Sequence, residues 1–62
     1  MTDPVVVETT ATILFQGYPR DCRQIAAVLA DESRTFGDAD RAEMWRNVGA
    51  ALEVMGRPDL IH

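Results

Sequence analysis

Apolar and hydroxyl side chains alternate with a period of two near the start of the chain. Val5, Val7, Thr9, Ala11, Ile13 and Phe15 share one face of a pleated segment. Val6, Glu8, Thr10, Thr12, Leu14 and Gln16 share the more polar other face. β-Branched and aromatic residues suit a half-buried strand. The pattern predicts one strand over about 5–16, uninterrupted by Gly, Pro or Asn. Gly17-Tyr18-Pro19 then ends it. Beyond this point the period changes to that of a helix. Cys22, Ile25, Ala26 and Leu29 form an i, i+3, i+4, i+7 stripe, widened by Val28, and predict a helix over about 19–33. Arg34-Thr35-Phe36-Gly37 breaks this stripe. A second helix over about 39–55 follows, with Trp45, Val48, Leu52 and Met55 on its apolar side and Met44 and Ala51 beside them. Asp38 or Asp40 caps its start, Asp40 and Glu43 having the spacing of a capping box. Gly56 stands where a left-handed cap belongs, and Pro58 prevents continuation. Residues 57–62 form a tail.

The fold class expected from this order is α+β, strand–helix–helix, in a single domain spanning 1–62. A lone strand leaves unpaired N–H and C=O groups along both edges. The expectation is therefore a homodimer in which the strand pairs with its copy in an antiparallel two-fold ribbon. An internal hairpin, or a short second strand from Leu60-Ile61, are the alternatives. Over residues 5–56 the element order resembles the ribbon-helix-helix family of dimeric bacterial and phage repressors. That resemblance implies Glu8, Thr10 and Thr12 facing bases in the major groove. It also implies Gly37, Asp38, Ala39 and Asp40 beside a backbone phosphate.

Composition narrows the function. With 47% hydrophobic and 26% charged residues, the chain is not of the disordered type. At 62 residues it has a marginal core. Ten acids against six bases give a net charge of −4, and all six bases are Arg. The absence of Lys fits a GC-rich coding sequence and a bacterial or phage source. The acid excess repels nucleic-acid phosphate and anionic membrane at long range. Arg20 and Arg23 flank Asp21, and Arg41 and Arg46 lie among Asp38, Asp40 and Glu43, so no clean basic stripe is visible. The single Cys22 excludes an intrachain disulfide and points to a reducing, cytoplasmic setting. No apolar run reaches the roughly 18 residues of a membrane span. No secretory leader is expected.

Catalysis is not expected. Cys22 lies on an apolar stripe and lacks an internal His as a base, so it reads as a core residue. Asp38 and Asp40 read as helix caps, without the further ligands that a calcium loop requires. No cofactor or metal is expected. Trp45, Met44 and Met55 have core spacing, whereas Tyr18 and Phe36 fall in turns. Tyr18 and Phe36, with the acids Asp31, Glu32, Asp38, Asp40 and Glu43, are the candidate partner-binding residues. The expected function is that of a small acidic, non-enzymatic protein-interaction module, a regulator or inhibitor. One concrete form is a phage-encoded, anti-defence inhibitor whose carboxylates enter a basic groove of a nucleic-acid-handling host complex. Its expected partners are its own copy and a host or cognate protein, with no direct nucleic acid and no membrane. The alternative is a ribbon-helix-helix DNA-binding regulator; a subunit or folding partner of a larger assembly is a third possibility.

Overall fold

The computed structural model describes residues 3–56 and contains three helices: α1 (Pro4–Gly17), α2 (Cys22–Thr35) and α3 (Ala39–Met55). No strand occurs among the described residues, which overturns the strand–helix–helix expectation, the two-fold ribbon and the ribbon-helix-helix likeness. The alternative second strand at Leu60-Ile61 lies outside the described residues.

The segment expected as a strand is α1, and its start explains why. Asp3 is the N-cap: its carboxylate accepts the Val5 N–H at 2.9 Å. Pro4 occupies the first turn, where its missing N–H costs nothing. At the far end the Tyr18 N–H donates to the Leu14 carbonyl at 2.8 Å. A β-branched residue costs a helix only a few tenths of a kcal/mol. A strand with no neighbour in the chain would leave its whole backbone unpaired. The helix satisfies that backbone locally, and Thr12 adds a side-chain bond by donating its hydroxyl to the Glu8 carbonyl at 2.9 Å. Val7, Ala11, Leu14 and Phe15 then turn inward at helical spacing.

α2 begins at Cys22, after the turn Pro19–Asp21, and runs through Thr35, two residues beyond the expected end. Its C-terminus closes as a Schellman motif. The Asp38 N–H donates to the Ser33 carbonyl at 2.9 Å and the Gly37 N–H to the Arg34 carbonyl at 3.0 Å. Gly37 has φ +80°, a conformation that disfavours any side chain with a Cβ. Asp38 leaves this motif and caps α3, its carboxylate accepting the Arg41 N–H at 3.0 Å. The cap is thus Asp38, and Asp40 lies inside the first turn. Gly56 ends α3 at φ −82°, not in the left-handed conformation expected of it.

α1 and α2 both pack on α3 and touch each other far less. The core joins Ala11 of α1, Cys22 and Ala26 of α2, and Val48 and Leu52 of α3. Val7, Leu14, Phe15, Trp45, Ala51 and Met55 lean against it, half-buried. Of the expected α2 stripe, Cys22 and Ala26 are buried, Ile25 and Leu29 are half-buried, and Val28 is exposed. The buried side of α2 is therefore Cys22, Ala26, Ala30 and Ser33, one row of small residues.

Three substitutions test this arrangement by thermal or urea unfolding. Leu52→Ala should cost about 2–5 kcal/mol, a large part of the stability of so small a domain. Gly37→Ala should cost about 1 kcal/mol because of its left-handed backbone. Gly49→Ala should stabilise by up to about 1 kcal/mol. A Cβ at Gly49 would meet the Ala26 Cβ at 3.9 Å, an ordinary contact.

Candidate functional site

Three hollows of distinct chemistry open between or along the helices. The first follows the outer side of α2. Tyr18, Asp21, Gln24, Ile25, Val28 and Leu29 line a depression of about 530 Å³. Leu29 also borders a second depression of about 370 Å³, which continues past Glu32, Ser33 and Phe36 to Asp38, Arg41 and Trp45. Ile25, Val28, Leu29 and Glu32 share one face by helical spacing, and Phe36 follows four residues after Glu32. The result is a ridge along most of α2 that is apolar from Ile25 to Leu29, is interrupted by Glu32 and resumes at Phe36. Phe36 is 80% exposed, Tyr18 56% and Val28 54%, unusual for large apolar side chains lying along one line. Asp21, Glu32 and Asp38 border the ridge, and Arg41 is the only cation lining it.

This ridge gathers part of the residue set marked in the sequence. Tyr18, Phe36, Glu32 and Asp38 line the two depressions. Asp31, Asp40 and Glu43 are exposed but do not line them. Asp38 serves the α3 cap as well, so its carboxylate is partly committed. Ile25, Val28 and Leu29 belong to the ridge but read in the sequence as core. The i, i+3, i+4, i+7 spacing places them on the apolar stripe, whereas the row that α2 buries is Cys22, Ala26, Ala30 and Ser33. The missed signal is the width of the α2 apolar arc, which is greater than one neighbouring helix can cover.

The second hollow, of about 600 Å³, lies between α2 and α3. Arg20, Arg23, Gln24 and Arg46 surround it, over Ala27, Ala30 and Gly49, with Trp45 and Glu53 also at its wall. The fold thus assembles a cationic patch from two segments, neither of which is a basic stripe in the sequence. Arg20, Arg23 and Arg46 form no ion pair with another described residue. The third hollow, of about 560 Å³, is an apolar groove between α1 and α3. Pro4, Val7, Ala11, Ala51, Val54 and Met55 line it, with Glu8 as its single charge. It accepts apolar groups but offers little charge by which to choose among them.

Cys22 is 3% exposed, and its thiol faces the Pro19 carbonyl at 3.8 Å. It belongs to the core and to none of these hollows. Among the described residues no three His, Cys, Asp or Glu side chains are placed to share a metal ion. No described helix is long and apolar enough to cross a membrane. His62 and Pro58 lie outside the described residues. Comparison of the chain with protein-family models, with curated proteins and with solved structures gave no match.

The burial of Cys22 has a direct consequence. Its reaction with an aromatic disulfide reagent should be slow in the native protein and fast in denaturant, because the thiol becomes accessible only on opening. Stoichiometric labelling within seconds under native conditions would place Cys22 outside the core.

Proposed function

We propose that this protein is a small, non-enzymatic protein-interaction module that binds through the outer face of α2. The observation that carries this reading is the exposed ridge from Tyr18 through Val28 to Phe36, bordered by Asp21, Glu32 and Asp38. A ridge of apolar and aromatic side chains supplies anchors for a partner's pockets. Carboxylates at the rim select a cationic partner and speed its approach. The chemistry fits an amphipathic helix or groove with apolar side chains at i, i+3/i+4 and i+7, flanked by Arg or Lys. A host protein whose basic groove normally holds nucleic acid is one such partner, and an inhibitor acting on it would compete by charge.

The test uses a synthetic amphipathic helical peptide with Leu at those positions and Arg beside them. Binding is followed by amide chemical-shift changes, with a Glu-flanked peptide as the comparison. The Arg peptide should bind more tightly, shift residues between Tyr18 and Phe36, and weaken with salt. Phe36→Ala and Val28→Asp should each reduce affinity by about tenfold or more, equivalent to about 1.4 kcal/mol. Both positions are exposed, so the helical circular-dichroism signal should persist. Equal binding of the two peptides, or shifts confined to other faces, would refute the reading.

The cationic hollow supports a second reading, that of anion binding. Arg20, Arg23 and Arg46 share this hollow, and an anion between them relieves the repulsion among their charges. Their guanidinium forks and the Gln24 amide suit a phosphate group. Trp45 is the only Trp of the chain and lines the same hollow. Its fluorescence should therefore respond to pyrophosphate but not to equal ionic strength of chloride, and Arg23→Gln should abolish the response.

A further inference from the structure

Resting on the anion-binding reading of the hollow between α2 and α3, we infer that its occupant is a phosphate monoester carrying a flat ring, the chemistry of a nucleoside monophosphate. The hollow measures about 600 Å³. That is the size of sites that hold whole small molecules, and far more than one phosphate group fills.

Its two ends differ in chemistry. α2 and α3 are joined by the short turn Phe36–Asp38, so they run antiparallel. Ala26 and Gly49 mark their close approach, a Cβ at Gly49 lying 3.9 Å from that of Ala26. Toward the turn come Ala30 of α2 and Trp45 of α3, one helical turn further along each. Away from it come Arg23 and then Arg20. Ala27, Ala30 and Gly49 form a carbon floor, Trp45 closes its far end, and Arg20 and Arg23 stand at the other. Among the described residues, the Ala26 Cβ is the only atom of another helix within 4 Å of the place a Gly49 Cβ would take. The floor is therefore open down to the α3 backbone, as close approach of a ring requires.

Charge fixes the other half of the occupant. Arg20 and Arg23 stand at the start of α2, the positive end of its dipole, where a cation is disfavoured and an anion favoured. Asp21, between them in sequence, lines the ridge side of α2. Arg46 adds a third guanidinium from α3. Glu53 is the one carboxylate at the wall, and it is engaged in an interaction of its own. Three guanidiniums against one carboxylate leave the hollow with an excess of two positive charges. A phosphate monoester brings about two negative ones at pH 7. Inorganic phosphate matches that charge but leaves the floor and Trp45 uncovered. A ring on the floor takes this carbon surface out of water and stacks against the indole.

Adenosine monophosphate, ribose phosphate and adenosine, each titrated into the isotope-labelled chain, separate ring from phosphate. The monophosphate should bind about tenfold more tightly than ribose phosphate, and adenosine about tenfold more weakly than the monophosphate. Both phosphates should shift the amides of Arg20, Arg23 and Gln24. The monophosphate alone should shift Ala27, Ala30, Gly49 and the indole N–H of Trp45. Ala27 is exposed, and Leu suits a helix, so Ala27→Leu should keep the helical circular dichroism while filling the floor. It should lower the affinity for the monophosphate to that for ribose phosphate and leave the latter unchanged. Equal affinity of the wild type for the two phosphates, or monophosphate binding indifferent to Ala27→Leu, would refute the ring while leaving the anion reading in place. A response to pyrophosphate with no binding of the monophosphate would do the same. Failure of all the phosphates to bind would overturn both.

Discussion

The structure depends on the row that α3 presents with Val48 and Leu52. These are the two largest side chains that are fully buried, and both other helices close on them. What approaches them is small: Ala11 from α1, Cys22 and Ala26 from α2. Small facing residues let helix axes come close, so a few side chains exclude water from the whole seam. Gly49 extends this seam, since a Cβ there would lie 3.9 Å from that of Ala26. The core is accordingly thin, one layer of α3 side chains held between two neighbours. A chain of 62 residues has little more to bury.

A core centred on one helix has a topological consequence. Three helices that each pack on the other two would cover all their apolar sides. Here α1 and α2 meet α3 but scarcely meet each other. The second apolar side of each is therefore incompletely covered: exposed Val28 with half-buried Ile25 and Leu29 on α2, and exposed Val6 and Ile13 on α1. These are not scattered surface residues of the ordinary kind, because each set follows helical spacing. Charge then distinguishes the two faces. Carboxylates border the α2 ridge, and the α1 row has none.

Much of the helical part of this fold was legible from residue pattern. Asp38, the Val48–Leu52 row and the break at Gly37 define α3 and its approach from α2, as their spacing indicates. The misreading of α1 has a specific cause. Positions i, i+4 and i+8 coincide on a strand face and on a helix stripe. Val7, Ala11 and Phe15 therefore satisfied both patterns, and Val5, Thr9 and Ile13 made the strand face look complete. The structure separates the two trios, the first inward and the second outward. Two signals favoured the helix. Leu14 sits on the polar strand face but joins Val7 and Ala11 in the helix stripe, and Asp3-Pro4 is a capping pair. A third consideration also favoured it: a strand here needs a neighbour from another copy or from the short Leu60-Ile61 segment, whereas a helix pairs its backbone within itself. The candidate site was legible to the extent that turn aromatics have little packing reason to be there. Tyr18 and Phe36 are both exposed. The exposure of Val28 and the half-burial of Ile25 and Leu29 were not legible, because their helical spacing fits a buried face while the row that packs inward is Cys22, Ala26, Ala30 and Ser33. The gathering of Arg20, Arg23 and Arg46 was hidden because the turn before α2, α2 itself and the middle of α3 each contribute to it.

The thin core and the uncovered faces have one origin. Apolar area spent on the exterior of α1 and α2 is area withheld from the fold, and conformational entropy must still be overcome for every ordered residue. Whatever binds the native chain on one of these faces stabilises the fold by mass action, so apparent stability would rise with the concentration of the molecule that covers it.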